Sequence, residues 1–440
     1  MARKSVVTPL ISFEKVEMFK FIHAADIHLD SPLLGLDRFD DAPVAEIRVA
    51  SRRALKNLVD LAIEEAVDFV LLAGDIYDGE WEEMRTGFYF VAQMARLREA
   101  DIPVFLISGN HDAANKMTRK LRLPANVQLL PHNQPHTVKH VRLDDLGVAL
   151  HGQSFERESI EDNLALNYPA RIKGMFNIGL LHTSLTGAAG HYNYAPCTIA
   201  DLKLKGYDYW ALGHIHQREV KCQEPYIVYP GNLQGRKISE TGAKGCYLVT
   251  VDSQLTPSLE FKAIDVFRYE KIRVDLDSAC NADDLLEAFA LNLEKTRRLH
   301  KSYPLAVRVE LVGRTLMHER LLAEVTRWRN ELKGVALDRG HGDIWLEKVI
   351  VNTLGNDNHR ADLEIDGPLG ELMACFDACR NSDELLQSLA QEFEPLRSRL
   401  PDEFRQADFS FNVHDLVQVR RWLDEAEALL LAQLRGEFDK

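Results

Sequence analysis

Two periods of apolar residues run along this chain and predict its elements. FKFIHAAD (19–26), DFVLLAGD (68–75) and IPVFLISGN (102–110) are short, nearly continuous apolar runs, the pattern of strands buried on both faces. Between the first two, Ile47, Ala50, Ala54, Leu58 and Ala62 recur at helical spacing within 45–66, and 83–99 holds a second helical stretch. Such strand–helix–strand alternation predicts a parallel α/β layer. From 127 to 264 the texture changes, and VQLL, GVALHG, FNIGLLH, DYWALGH, YIVYPGN, GCYLVTV and LEFKAI arrive at short intervals. These runs predict a second sheet packed on the first. With helices on the outer faces, the expected fold is a layered αββα sandwich.

Residues 266–355 repeat the alternation on a smaller scale, with strands expected at 268–276, 305–313 and 344–352 and helices at 282–300 and 316–332. Asn281 is placed to cap the first of these helices, and Asp283 and Asp284 in its first turn favour its dipole. The polar segment LGNDNHRAD (354–362) reads as a linker. Beyond it, 367–437 reads as helices only, with apolar faces at Leu416, Val419 and Leu423 and at Leu429, Leu430, Leu431 and Leu434. The expected division is an N-terminal extension (1–18), an α/β sandwich domain (19–265), a small α/β domain (266–355) and an acidic helical segment (356–440).

Composition narrows the class. A chain of 440 residues with 46% hydrophobic and 27% charged side chains excludes a disordered, collagen-like or small disulfide-stapled protein. Its length predicts about two to four domains. No apolar run approaches the roughly 18–20 residues that a spanning helix needs, so no membrane partner is expected. The N-terminal stretch carries Glu14 and Glu17 and lacks the apolar centre of a signal peptide, which makes the cytoplasm the expected compartment. The cysteines (Cys197, Cys222, Cys246, Cys280, Cys375 and Cys379) form no CxxC pair and read as buried free thiols; Cys375 and Cys379 share a helix face, but no second pair completes a zinc site.

A net charge of −14 argues on its face against a polyanionic substrate. Its distribution weakens that argument. Residues 1–100 hold 12 basic and 18 acidic groups, 351–440 hold 9 and 19, and 101–350 hold 32 and 30. The middle of the chain is therefore near neutral. Charges farther away than roughly 8 Å are largely screened from any one site.

Five short motifs each follow an apolar run: Asp26-Ile-His28, Gly74-Asp75-Ile-Tyr-Asp78, Gly109-Asn110-His111-Asp112, His182 after IGLL, and Gly213-His214-Ile-His216. Loops leaving the carboxyl ends of neighbouring parallel strands converge, so these residues are expected to meet. Carboxylate, amide oxygen and imidazole without thiolate suit Mn²⁺, Fe or a catalytic Zn²⁺. The number of groups suits two ions, with Asp75 able to bridge both, in the arrangement that clamps a phosphoryl oxygen for in-line attack. The glycines allow the tight strand-to-loop turns such a cluster needs.

The order D-x-H, G-D-x-x-D, G-N-H-D, H and G-H-x-H resembles the calcineurin-like metallophosphoesterase superfamily. More narrowly, AADIHLDSPLLGL, LLAGDIYDG, ISGNHD, YWALGHIHQRE and YPGNLQGR resemble the SbcD/YhaO-type DNA repair exonucleases. The resemblance implies one metal ion held by Asp26, His28, Asp75 and His216 and a second held by Asp75, Asn110, His182 and His214, with Mn²⁺ as the metal. It implies that His111 is catalytic, contacting the scissile phosphate and assisting the leaving oxygen, with Asp112 placed to hold its imidazole. Asp78 stands where archaeal and eukaryotic relatives carry histidine, and is not counted as a ligand. The implied reaction is attack on a DNA phosphodiester by a hydroxide activated between two Mn-type ions. The implied partners are DNA, an SMC-like ATPase of the SbcC/YhaN type docked on the C-terminal helices, and a second copy of the chain. The small domain would guide DNA, with Arg320, Arg327 and Arg329 on its 316–332 helix as contacts. Relatives tend to begin near the first strand, which makes Met18 the expected start. Two other readings share the metal core: a general metallophosphoesterase acting on small phosphodiesters or phosphomonoesters, and a non-catalytic scaffold with the same fold.

Several histidines read as structural. His132, His136 and His140 have helical spacing, but Pro131 and Pro135 interrupt any such helix. His23 reads as a strand residue. His191 and Tyr194 lie close after His182 and are placed to line the cleft.

Overall fold

A computed structural model describes residues 18–31, 47, 49–78, 84–114, 121–185, 194–277, 279–300, 303–355, 368–399 and 415–438. These divide at Arg268/Tyr269 into two compact units. The expected helix start at 45, the extension before Met18, most of the 354–362 linker, His191, and the side chains of Leu431 and Leu434 lie outside the described residues.

In the first unit, β1 (Phe19–Ala24), β2 (Phe69–Ala73), β3 (Val104–Ile107) and β4 (Val127–Leu129) pair in parallel, and β1 also pairs antiparallel with β11 (Gly245–Val251), which carries β12 (Pro257–Ala263). The second six-stranded sheet has the order β5 (His136–Thr137), β6 (Val148–Gly152), β7 (Phe176–His182), β8 (Tyr209–Gly213), β10 (Tyr226–Tyr229) and β9 (Glu219–Gln223). Its β6, β7, β8 and β10 run in parallel.

The two-residue period of the strands sorts their side chains between layers. Phe19, Phe21, Phe69, Leu71 and Phe105 of the first sheet meet Leu150, Phe176, Ile178, Leu180 and Tyr209 of the second in one buried cluster. The alternate residues Ile22, Val70, Leu72 and Leu106 face outward onto Ala54, Leu58 and Ala62 of α1 (Ala50–Glu64) and Phe90, Met94 and Leu97 of α2 (Arg85–Glu99). Leu181, Leu212 and Ile227 cover the other outer face together with Leu164, Tyr168 and Leu202; the short helices α3 (Asn110–Ala114), α4 (Val141–Asp145) and α5 (Ile199–Leu204), the last carrying Leu202, also lie in this unit. The layered αββα sandwich is therefore present, with its parallel strands ending beside one another.

The second unit holds a three-stranded sheet, β13 (Arg268–Asp275), β14 (Leu305–Arg314) and β15 (Ile344–Leu354), whose first residue, Arg268, lies just before the division. Helix α6 (Ala282–His300) begins as expected, with the Asn281 side chain accepting from the Asp284 backbone N–H at 3.0 Å. The single helix expected at 316–332 is two, α7 (His318–Ala323) and α8 (Val325–Gly340), broken at Glu324 where ψ is 37°. The break lets the Trp328 indole N–H donate to the Arg320 carbonyl oxygen at 3.0 Å while its ring sinks into the core. The helices from Pro368 onward fall within this unit rather than standing apart: α9 (Pro368–Asn381), α10 (Asp383–Gln391), α11 (Glu394–Arg399) and α12 (Leu416–Phe438). Leu386, Ala390, Val419 and Leu423 form their shared core, and α12 also packs along α7.

All six cysteines are free, but only Cys197 and Cys246 are buried. Cys280 and Cys375 are exposed, which corrects the expectation of uniformly buried thiols. Cys375 follows a helical period that faces away from the small core of the tail. Among the described residues no helix is long and apolar enough to cross a membrane.

Candidate metal centre

The five motifs sit on loops that leave the strands at one end of the sandwich, and the backbone there is bent sharply. Asp26, His28, Asp75 and His214 all have positive φ (51°, 45°, 50° and 99°). Non-glycine residues hold such angles only where the surroundings over-determine them. Here the loop after β1 is laced to the loop after β2, with the N–H groups of Asp26, His28 and Leu29 donating to the carbonyls of Gly74, Asp75 and Ile76 at 2.9–3.0 Å. Gly74 (φ 93°) completes the turn, and a Cβ there would lie 2.6 Å from His182 Nδ1.

The side chains so placed form two clusters that both face Asp75, beside a third group of His28, Asp78 and His111. In one, Asp26, His28 and His216 converge, with His28 Nε2 and His216 Nε2 3.1 Å apart and Asp26 Oδ1 4.0 Å from His216 Nε2. In the other, Asp75, His182 and His214 converge, with Asn110 Oδ1 3.1 Å and Asp75 Oδ2 3.4 Å from His182 Nε2. Asp75 Oδ2 is also 3.8 Å from His28 Nε2, so one oxygen faces both groups.

The hydrogen bonds on the far side of each ring decide what these atoms can take. His182 Nδ1 donates to the Ala73 carbonyl at 2.9 Å, and His216 Nδ1 donates to the Glu240 carboxylate at 2.9 Å. In the neutral rings both Nε2 atoms then carry lone pairs aimed at other acceptors. Ligand atoms about 2.1 Å from a shared ion lie roughly 3.0–3.4 Å from each other, the spacing of His28 from His216 and of His182 from Asn110 and Asp75; the Asp26–His216 and Asp75–His28 pairs are wider, at 4.0 and 3.8 Å. A crowd of buried acceptors needs a cation, and the donor set fits two divalent ions.

Without a bound ion, a proton on His182 takes the place of the cation. Burial works against a charged His182, but Asp75 and Asp26 outweigh it and raise its pKa to about 9. Burial, aided by the Arg236 charge, lowers His28 to about 3. Burial also raises Asp26 to about 6, against the pull of His216 and His182.

His111 is partly exposed beside these clusters, and its backbone N–H donates to Asp75 Oδ1 at 3.0 Å. Its imidazole is not held by Asp112, as expected from the sequence. The Asp112 carboxylate is occupied by the backbone N–H groups of Gly109, Ile76 and Tyr77 at 3.0–3.1 Å, tying the second and third loops together. Asp78 takes the role instead, with Oδ1 3.0 Å from His111 Nδ1 and 3.4 Å from His28 Nδ1. Burial opposes charge on His111, yet Asp78 and Asp75 raise its pKa overall.

Arg236 and Glu240 also belong to the site. The Arg236 guanidinium reaches Asp78 Oδ2 at 3.1 Å, and Glu240 is buried against His216. A signal for both existed: β10 runs parallel beside β8, so the loop after YIVY must leave at the same end as Gly213–His216.

Among the described histidines, His23, His136 and His140 have structural places. His23 donates from Nε2 to the Leu212 carbonyl at 3.1 Å and accepts from the Tyr209 hydroxyl, bridging the two sheets. His140 caps a short helix and His136 lies in β5. Tyr194 packs edge-on against His214 with ring centres 5.2 Å apart.

Of the expected DNA contacts, Arg320 and Arg327 are exposed and hold their guanidinium groups 5.9 and 5.3 Å from the Trp328 ring centre; Arg327 also pairs with Glu324 at 2.7 Å. Arg329 is half-buried on α8.

Comparison with known proteins places this geometry. Residues 19–218 match the family model for calcineurin-like phosphoesterases, and residues 269–354 match the model for the middle domain of metallophosphoesterase YhaO. An uncharacterized metallophosphoesterase YhaO of Bacillus subtilis is 37% identical over 294 residues, covering 67% of this chain and 71% of that protein. A DNA double-strand break repair protein Mre11 of Sulfurisphaera tokodaii is 25% identical over 358 residues, covering 76% of this chain and 88% of that protein. The chain belongs to the calcineurin-like metallophosphoesterases and, within them, to the YhaO family.

Proposed function

We propose that this protein is a metal-dependent phosphodiesterase that acts on DNA ends as an exonuclease in DNA repair, together with an SMC-like ATPase. The observation that carries the reading is Asp75 Oδ2, which faces the ring nitrogens of both clusters at 3.4 and 3.8 Å and is so placed that it would serve both ions. Asp26, His28, Asp75 and His216 would hold one, and Asp75, Asn110, His182 and His214 the other, with Mn²⁺ as the metal. Bound ions would supply Lewis-acid stabilisation of the phosphoryl group and a water of lowered pKa.

The chain's own residues do the rest. His111, half-open to solvent and steadied by Asp78, is placed to give a proton to the departing oxygen. Its raised pKa favours the charged form that can do so. Similarity to Mre11 across most of that protein's length supports DNA over a small ester as substrate. Arg320 and Arg327, stiffened against Trp328, remain with Arg329 the expected phosphate contacts.

The test is digestion of end-labelled single- and double-stranded DNA with Mn²⁺, beside a small phosphodiester, with and without the ATPase. Shortening of DNA from its ends is expected. Hydrolysis of the small ester without any action on DNA would instead make the protein a general metallophosphoesterase.

A further inference from the structure

A buried network backs one of the two clusters and is anchored outside the five motifs. Glu240 lies on the loop after β10 and is 6% exposed. Its Oε1 accepts the Nδ1–H of His216 at 2.9 Å. Its Oε2 accepts from the side-chain amide of Asn232 at 2.8 Å and from the backbone N–H of Arg236 at 2.7 Å. Arg236 in turn reaches Asp78 Oδ2 at 3.1 Å, and Asp78 Oδ1 faces His28 Nδ1 at 3.4 Å. Since His28 Nε2 lies 3.1 Å from His216 Nε2, the contacts close into a ring around the Asp26–His28–His216 cluster.

An ionised carboxylate only accepts. A ring turned over about its long axis would lose the bond to Glu240, so the bond selects both the tautomer and the orientation that aim Nε2 at the cluster. Because Asn232 and Arg236 hold the second oxygen, Glu240 cannot swing away from His216. Groups of this kind raise the basicity of a metal-binding imidazole, and their loss typically weakens metal binding by about 10–100-fold.

We propose that Glu240 is a positioning residue that sets the affinity of one of the two metal positions, the one formed by Asp26, His28 and His216, and that it acts only through His216. The proposal rests on the two-ion reading above, and the experiment separates the two. Metal-free protein is titrated with Mn²⁺ by calorimetry and by the electron paramagnetic resonance of free Mn²⁺. Wild type is expected to bind two ions. Glu240→Gln is expected to weaken one of them by about 10–100-fold and leave the other unchanged. In a His216→Ala background the same substitution should add nothing.

Unchanged binding in Glu240→Gln, or an equal further loss in the His216→Ala background, would overturn the role of Glu240 while leaving the two-ion reading intact. Failure of wild type to bind Mn²⁺ would overturn both. Should the variant not fold, nitrogen NMR of the wild-type histidine rings decides. An Nδ1–H form of His216 supports the proposal, and an Nε2–H form ends it.

Discussion

At Asp75 one carboxylate serves two neighbours. Oδ1 accepts the backbone N–H of His111, and Oδ2 faces both His28 and His182. Asp75→Ala should therefore abolish binding of both ions, whereas Asn110→Ala, which removes the side-chain oxygen facing His182, should weaken one; metal counting after dialysis distinguishes them. His111 belongs to neither the Asp26–His28–His216 nor the Asp75–His182–His214 cluster and faces Asp78 instead, so His111→Gln should lower turnover by about 10²–10⁴-fold with metal content kept. Loss of metal in that variant would reduce His111 to a structural part. Gly109 sets a different limit. A Cβ there would run into the Asp75 carboxylate, so Gly109→Ala should empty the site by displacing its shared ligand, read as lost metal in a folded protein. The convergence of Asp26, His28, Asp75, Asn110, His182, His214 and His216 was legible because each follows an apolar run closely enough for strand geometry to aim it. Asp78 and Arg236 stand in motifs, but their roles, and that of Glu240, were not legible, because these lie in contacts made across loops 158 and 24 residues apart in sequence. Asp112 misled for the opposite reason. It adjoins His111 in sequence, but a helical turn carries its carboxylate back to the loop amides.

The long apolar strands are where sequence and fold agree most closely, since β2, β7 and β8 are buried along their whole length and little but a strand can use such a run. The polar, half-exposed β9 and the two-residue β5 carried no such period and were not anticipated. The 316–332 helix failed at Glu324 because the burial of Trp328, a tertiary demand, overrode an unbroken local preference. Gly179 in the centre of β7 shows how tight the strands pack. A Cβ there would overlap the Trp210 indole. Gly179→Ala should cost about 1–3 kcal/mol by overpacking, seen as a lowered unfolding midpoint with Mn²⁺ binding unchanged. Had Trp210 room to move, the midpoint would hold.

At the scale of the whole molecule, most of the net charge and the candidate chemistry fall in different units of the chain. Of the net −14, residues 351–440 contribute 9 basic against 19 acidic groups, a difference of −10, and the described part of that segment packs within the second unit. The residues proposed to hold metal all belong to the first unit, and the buried clusters of each unit draw only on its own residues. Acidity of the chain is therefore no measure of the field at the site, where two of the carboxylates would be neutralised by bound ions. The separation has a thermal consequence. Ions that bind only the folded first unit stabilise it by mass action, about 2.7 kcal/mol at a hundred times the dissociation constant. For a unit of this size each kcal/mol moves the midpoint by about 2–4 °C. Calorimetric unfolding should show a transition that falls by roughly 5–10 °C when EDTA replaces Mn²⁺. A second transition, belonging to the unit that begins at Tyr269, should stay in place. If both transitions moved together, the units would be coupled in unfolding. If neither moved, the buried acceptors around Asp75 would have to be satisfied by protons rather than by metal, and the two-ion site would fall with them.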